Sequence, residues 1–143
     1  MSLSQRCQYS LRAVYELTRC EGKGPVKVSQ IAERQSIPGR FLEVLLGQLK
    51  QAGFVTSVRG PSGGYVLGKD PSVLTVGDII RFCDGPITPV DCIRNRASCS
   101  FKGDCVFLPM WKKATKALED VYDKTTFADL YRQETATQLD FSI

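Results

Sequence analysis

Among the residues of this 143-residue sequence that can do chemistry, the most distinctive are six cysteines, and histidine is absent. Cys92, Cys99 and Cys105 fall in one stretch with the spacing C-x6-C-x5-C. Thiolates ligate soft metals, oxidise, or attack as nucleophiles. Without histidine there is no Ser-His-Asp triad, no Cys-His nucleophile pair and no His-bearing zinc finger. The spacing also differs from the C-x2–4-C of structural zinc sites. Three thiolates in one loop suit an iron–sulfur cluster, whose usual shell is four sulfurs. A zinc site, a redox pair plus a spare, and incidental cysteines are the competing readings. Arg94, Arg96 and Lys102 lie among them and would offset the charge of a thiolate-bound cluster. Cys7, Cys20 and Cys83 read as core residues, because a free Cys packs as a small hydrophobe. Cys7 and Cys83 are also candidates for a fourth ligand. No C-x-x-C or nucleotide-binding loop accompanies the cysteines, so the chain does not read as an enzyme.

The elements that must position these cysteines follow from periodicity. Residues 5–20 place Tyr9, Ala13, Val14, Leu17 and Cys20 on one helical face. GKGP at 22–25 breaks that helix. A short helix is expected from Val28 to Gln35, with Val28, Ile31 and Ala32 inward. Ser36-Ile37-Pro38 reads as a helix start, with Pro38 in the first turn. The next helix runs to Gly53 and buries Phe41, Leu42, Leu45, Leu46 and Leu49. Strands at 54–58 and 65–67, joined by the Gly/Pro-rich turn RGPSGG, form a hairpin. Residues 71–74 read as a linker. Thr75 with Asp78 forms a capping box that opens another helix. Residues 85–105 read as a long irregular loop. A helix over about 106–124 carries Phe107, Trp111, Ala114, Leu118, Val121 and Tyr122, and a partner chain is the simplest cover for that stripe. Thr126 and Asp129 cap a last helix, expected over 127–136.

The expected fold class is therefore mainly α with a small β-hairpin wing: a winged helix-turn-helix over 1–70. A cluster-binding loop (85–105) and a long C-terminal dimerisation helix follow over 71–143. Charge divides the same way. Residues 1–70 carry ten basic and five acidic side chains; residues 71–143 carry nine and ten. A basic winged helix suits double-stranded DNA. In such a motif the second helix enters the major groove, here with Arg40, Phe41, Glu43 and Val44 foremost. Arg40 suits guanine O6 and N7, and Glu43 suits cytosine N4. Lys27 is placed to hold phosphate, and Arg59 beside Gly60 at the wing tip to enter a minor groove. The plain alternative is a solvated helix face and an ordinary hairpin. No stretch approaches a membrane span and the N-terminus lacks an apolar signal region, so a cytoplasmic protein is expected.

The stretches GPVKVSQIAERQSI and FLEVLLGQLKQAGFVTSVRGPSGGYVLGKDP, with the loop cysteines followed by Met110-Trp111, resemble the Rrf family of dimeric winged-helix transcription regulators. The likeness runs to about residue 130 and points most closely to the family's iron–sulfur cluster regulators. It implies a bacterial cytoplasmic homodimer joined through the long helix. It implies palindromic operators read by the helix with Arg40 and Glu43 and by Arg59. It also implies a sensing cluster on Cys92, Cys99 and Cys105, of the 2Fe–2S type first and 4Fe–4S as the alternative, and control of iron–sulfur assembly genes.

Three departures qualify the resemblance. Those regulators place a histidine three residues after the last cysteine, where this chain has Leu108. Nitric-oxide-sensing relatives use an N-terminal acidic residue, where this chain has Gln8. Asp91, Asp104, Cys7, Gln8 and an external ligand are all candidates for the fourth position. The recognition helix carries Arg40 and Val44 where the cluster regulators have smaller or amide residues. GPITPVD and the tail TTFADLYRQETATQLDFSI look more like the family's cysteine-metabolism repressors, which lack the cysteine triad and work with a partner enzyme. A cluster-free sulfur-metabolism repressor with a protein partner is thus the alternative.

Overall fold

The computed structural model describes residues 2–94 and 105–142. Helix α1 (Gln5–Arg19) starts at Ser4, whose hydroxyl accepts the Cys7 N–H at 3.0 Å. Its buried stripe, with Ala13, Val14 and Leu17, faces helices α2 (Val28–Gln35) and α3 (Gly39–Gln51). Those two form the helix-turn-helix. Ser36 closes α2 in the left-handed conformation, at φ 53° and ψ 49°, instead of opening α3. Pro38 takes the N-cap position of α3 and not its first turn. Leu42, Leu45, Leu46 and Leu49 are buried, each stabilising the fold by roughly 1.5–3 kcal/mol before entropy is charged. Phe41 departs from the expected buried face. It is 43% exposed and packs edge to face with Tyr9, with ring centroids 5.5 Å apart.

Strands β1 (Val55–Val58) and β2 (Gly64–Leu67) pair antiparallel, with Val55 opposite Leu67 and Val58 opposite Gly64. The hairpin is also anchored to the α1–α2 connection. Val26 and Tyr65 exchange two backbone hydrogen bonds, at 2.9 and 2.8 Å. Gly64 makes this possible: a Cβ there would lie 2.4 Å from the Val26 carbonyl oxygen.

Residues 71–74 are not a free linker. Leu74 is buried, its carbonyl accepts the Phe127 N–H at 3.1 Å, and the Pro71 carbonyl accepts the Ala128 N–H at 3.0 Å. Helix α4 (Val76–Asp84) has the expected capping box between Thr75 and Asp78. The stretch expected to be irregular contains a one-turn helix, α5 (Asp91–Arg94). Helix α6 (Leu108–Lys124) has Pro109 in its first turn. Helix α7 (Phe127–Ser142) is capped by Thr126 and Asp129 as expected but runs to residue 142, beyond the expected 136. Its first turns fold back on α1, where the Tyr15 hydroxyl bonds the Glu134 carboxylate and Leu130 packs on the core. One core joins α1, α2, α3 and β1 with Leu74, Ile79 and Phe127. A smaller one gathers Cys7, Ile80 and Ile87, with Leu118 and Tyr122 of α6 against it. No helix among the described residues is long and apolar enough to cross a membrane.

Candidate nucleic-acid interface and cysteine loop

Helix α3 turns its four leucines inward and Arg40, Phe41, Glu43 and Val44 outward. Because 3.6 residues make a turn, burying 42, 45, 46 and 49 forces 40, 41, 43 and 44 to the opposite side. Arg40 and Glu43 are exposed, as is Val44 at 64%. Among the described residues, no ion pair or hydrogen bond occupies the side chains of Arg40, Glu43 or Arg59. The face therefore presents one cation, one anion and two apolar groups, a set able to meet guanine, cytosine and thymine methyl edges. Lys27 is exposed at the N-cap of α2, its N–H held by the Gln30 side chain at 3.2 Å. Arg59 and Gly60 are exposed at the wing tip, where Gly60 adopts φ 109°, a conformation that disfavours a side chain.

The helix-turn-helix is braced by groups the sequence did not single out. Glu16 on α1 is wholly buried. It accepts hydrogen bonds from Arg34 at 3.0 Å, Gln35 at 3.0 Å and Arg19 at 3.1 Å. Burial pushes its carboxyl upward, but the Gln35 and Arg34 hydrogen bonds outweigh this and hold it below the usual glutamate range. A buried carboxylate thus clamps the end of α2 to α1. On the other side, Arg6 donates to the Gln48 side chain on α3 and to the Cys83 carbonyl on α4, both at 2.9 Å. Arg81 of α4 forms a forked pair with Asp123 of α6, at 2.6 and 2.8 Å, and reaches Glu119 at 3.3 Å. Gly77 leaves room for this pair, since a Cβ there would meet the Asp123 carboxylate at 2.0 Å.

Cys92 on α5 and Cys105 just before α6 are half-buried free thiols. Cys99, with Arg96, Lys102 and Asp104, lies outside the described residues. The described part of the expected triad is therefore its two outer thiols. Among the described residues no group of three His, Cys, Asp or Glu side chains converges as a metal site. Leu108, which departs from the histidine of the cluster regulators the sequence resembles, is the first residue of α6. Ile93, beside Cys92, lines an open hollow of about 620 Å³ against Thr115 and Glu119 of α6. Cys7 is buried as expected of a core residue, and Cys20 and Cys83 are half-buried against the two cores.

Helix α6 has two apolar faces. Leu118 and Tyr122 pack inward, and the Thr115 hydroxyl meets that of Thr88 at 3.3 Å. The other face presents Phe107, Met110, Ala114, Ala117 and Val121 at alternating spacings of three and four. Phe107 and Met110 are 56% and 49% exposed, and Val121 is 62% exposed.

Comparison with known proteins gives consistent matches. Residues 3–133 match the Rrf2 family, described as an iron-dependent transcriptional regulator. CymR of Bacillus subtilis strain 168, an HTH-type transcriptional regulator, is 36% identical over 130 residues, covering 91% of this chain and 89% of CymR. The HTH-type regulator IscR of Klebsiella pneumoniae strain 342 is 31% identical over 134 residues, covering 94% and 82%. Among solved structures, B. subtilis CymR, the global cysteine regulator, aligns with a TM-score of 0.80 at 35% identity, over 91% of this chain and 95% of that one. IscR of T. potens aligns with a TM-score of 0.79 at 35% identity, over 96% and 91%. The likeness spans both kinds of regulator and does not single out the iron–sulfur type. These relatives are named as transcription regulators, not enzymes.

Proposed function

The chain belongs to the Rrf2 family of DNA-binding transcription regulators, and from that premise we propose that it is a homodimer sensing iron–sulfur status. Cys92, Cys99 and Cys105 would hold the cluster, 2Fe–2S in the first instance, and the regulated genes would be those of iron–sulfur assembly. The observation that carries this reading is the cysteine set: three thiols in one loop, the outer two free in the structure. When bound, the cluster supplies an assembly that is lost or altered as iron, oxygen or nitric oxide change. Its fourth ligand must come from something other than histidine, since the chain has none.

The reading surface consists of Arg40, Phe41, Glu43 and Val44 on α3, Arg59 and Gly60 on the wing, and Lys27 toward phosphate. The α6 face from Phe107 to Val121 has the 3–4 spacing of a helix-pairing seam, with Ala114 and Ala117 permitting close approach. A dimer through it would set two copies of α3 against successive major grooves, about 34 Å apart. A ligand changes DNA affinity only if the binding states hold it differently. The chain has a physical route for such coupling. The cysteine loop joins α4 to α6; Arg81 ties α4 to α6; Arg6 ties the end of α4 to α3.

Anaerobic reconstitution with iron and sulfide tests the reading. Visible absorption and bound iron and sulfide are expected, and both disappear when Cys92, Cys99 and Cys105 are replaced together by Ser. Protein that stays colourless overturns the cluster and leaves DNA binding intact.

A second reading is supported by the 36% identity to CymR: a cluster-free regulator of cysteine metabolism acting with a protein partner. It predicts operator affinity indifferent to iron and co-purification of a cysteine-biosynthesis enzyme.

A further inference from the structure

Two thiols outside the loop meet where α1 joins α4. Cys7 is wholly buried, and Cys83, half-buried in the last turn of α4, packs against the small core that contains it. Both sit at the smaller core with Ile80 and Ile87, and neither is in a disulfide. The helix ends around them are fixed. Arg6 donates to the Cys83 carbonyl at 2.9 Å, while Ser4 holds Asp84 through its N–H at 2.8 Å and its hydroxyl at 2.5 Å. The fold thus gathers both thiols at one small core, between helix ends that are tied to each other.

We infer that Cys7 and Cys83 form a dithiol that a hydroperoxide converts to a disulfide, a redox site separate from the loop cysteines. The two sulfurs have different roles. The neighbouring Cys7 thiol, with Ser10 and the positive charge of Arg6, draws the Cys83 thiol downward, against burial and Asp84. Cys83 is half-buried where Cys7 is wholly buried, so it is the sulfur an oxidant reaches, and it reacts as the thiolate.

Its attack on hydrogen peroxide forms a sulfur–oxygen bond, breaks the oxygen–oxygen bond and releases hydroxide. Sulfur loses two electrons and becomes a sulfenic acid. Cys7 gives its proton to that hydroxide, forming water. The resulting Cys7 thiolate attacks the Cys83 sulfur and displaces a second hydroxide, closing the disulfide. One peroxide is thereby reduced to water and hydroxide for each disulfide formed. The bond would fasten α1 to α4 one residue from Arg6, which bridges α4 to Gln48 on the reading helix.

The full chain with Cys92, Cys99 and Cys105 replaced by Ser keeps only Cys7, Cys20 and Cys83, and is treated without metal with equimolar hydrogen peroxide. Expected are a mass lower by two hydrogens and a disulfide between tryptic peptides 7–12 and 82–94. A rise in Tm that a thiol reductant reverses should accompany them. Cys20→Ser leaves the cross-link unchanged, and Cys83→Ala abolishes it. A Cys83 that advances to sulfinic acid without cross-linking, a bond to Cys20 instead, or both thiols still open to alkylation overturns the proposal. Because the parent protein carries both reactive cysteines, the result does not depend on the stability of Cys83→Ala.

Discussion

Arg6 donates its Nε–H to the Oε1 of Gln48 at 2.9 Å, joining α1 to α3. The same guanidinium holds the last turn of α4 through the Cys83 carbonyl and lies 5.5 Å from the Phe82 ring centroid. One side chain thus links α3 to the element that leads into the cysteine loop. Arg6→Ala should cost about 1–3 kcal/mol in denaturant unfolding, as expected for lost hydrogen bonds to a charged group. It should also shrink the difference in operator affinity between the metal-loaded and metal-free protein. An unchanged difference would show that coupling runs elsewhere.

Glu16 makes stability sensitive to acid. Its folded carboxyl lies below the ordinary glutamate value, so it binds protons less readily folded than unfolded. Its stabilisation is complete above the ordinary value and is lost as pH falls through the lowered one. Tm measured across the acid range should drop in the wild type, and Glu16→Gln should lack this component. At neutral pH that variant should lose about 1–3 kcal/mol, because Arg34 and Arg19 then meet a weaker, neutral partner at this position.

On double-stranded sites selected from a random library, Arg40→Ala should cost about 1–3 kcal/mol where guanine is contacted. Glu43→Ala should relax discrimination between sites while leaving the preferred one bound. Arg59→Ala should weaken all sequences alike and lower the salt slope by about 1. Equal effects of all three on every sequence would contradict the assignment of α3 as the reading helix.

Gly64→Ala drives a methyl into the Val26 carbonyl. The wing must then leave its anchor, with an expected cost of about 1–3 kcal/mol from overpacking. DNA binding should weaken along with it. Hydrogen exchange at the Tyr65 amide, which donates to Val26, reports the release directly.

The outer face of α6 carries a dimer test. Val121→Glu places a charge on the proposed seam without touching Leu118 or Tyr122, which face inward. Sedimentation should show a monomer with unchanged helicity. A dimer that persists moves the interface off this face.

Much of the chain's local structure was legible in its residues. Helical spacing located α1, α2 and α3, the Gly/Pro-rich turn located the wing, and Thr75 with Asp78 located the start of α4. These signals are local: a period, a cap or a turn depends on neighbours within a few positions. The exposed set on α3 follows from the same period, because the leucines that must be buried dictate which side chains cannot be. The error at Phe41 has the same origin. Periodicity assigns a face but not where the packed surface ends.

Contacts between distant positions were decided only by the fold. Nothing near Glu16 in the chain announces that Arg34 and Gln35 will close over it, nor does Val26 announce Tyr65. Residues 71–74 look like a linker because their hydrogen-bond partners, at Phe127 and Ala128, lie more than fifty positions away. The cysteines show the division most clearly. Composition alone counts six and excludes histidine as a ligand, and spacing groups Cys92, Cys99 and Cys105. That Cys7 should share a small core with Cys83 is a consequence of packing α1 against α4, a joint made of groups separated along the chain and brought together by the burial of Ile80 and Ile87.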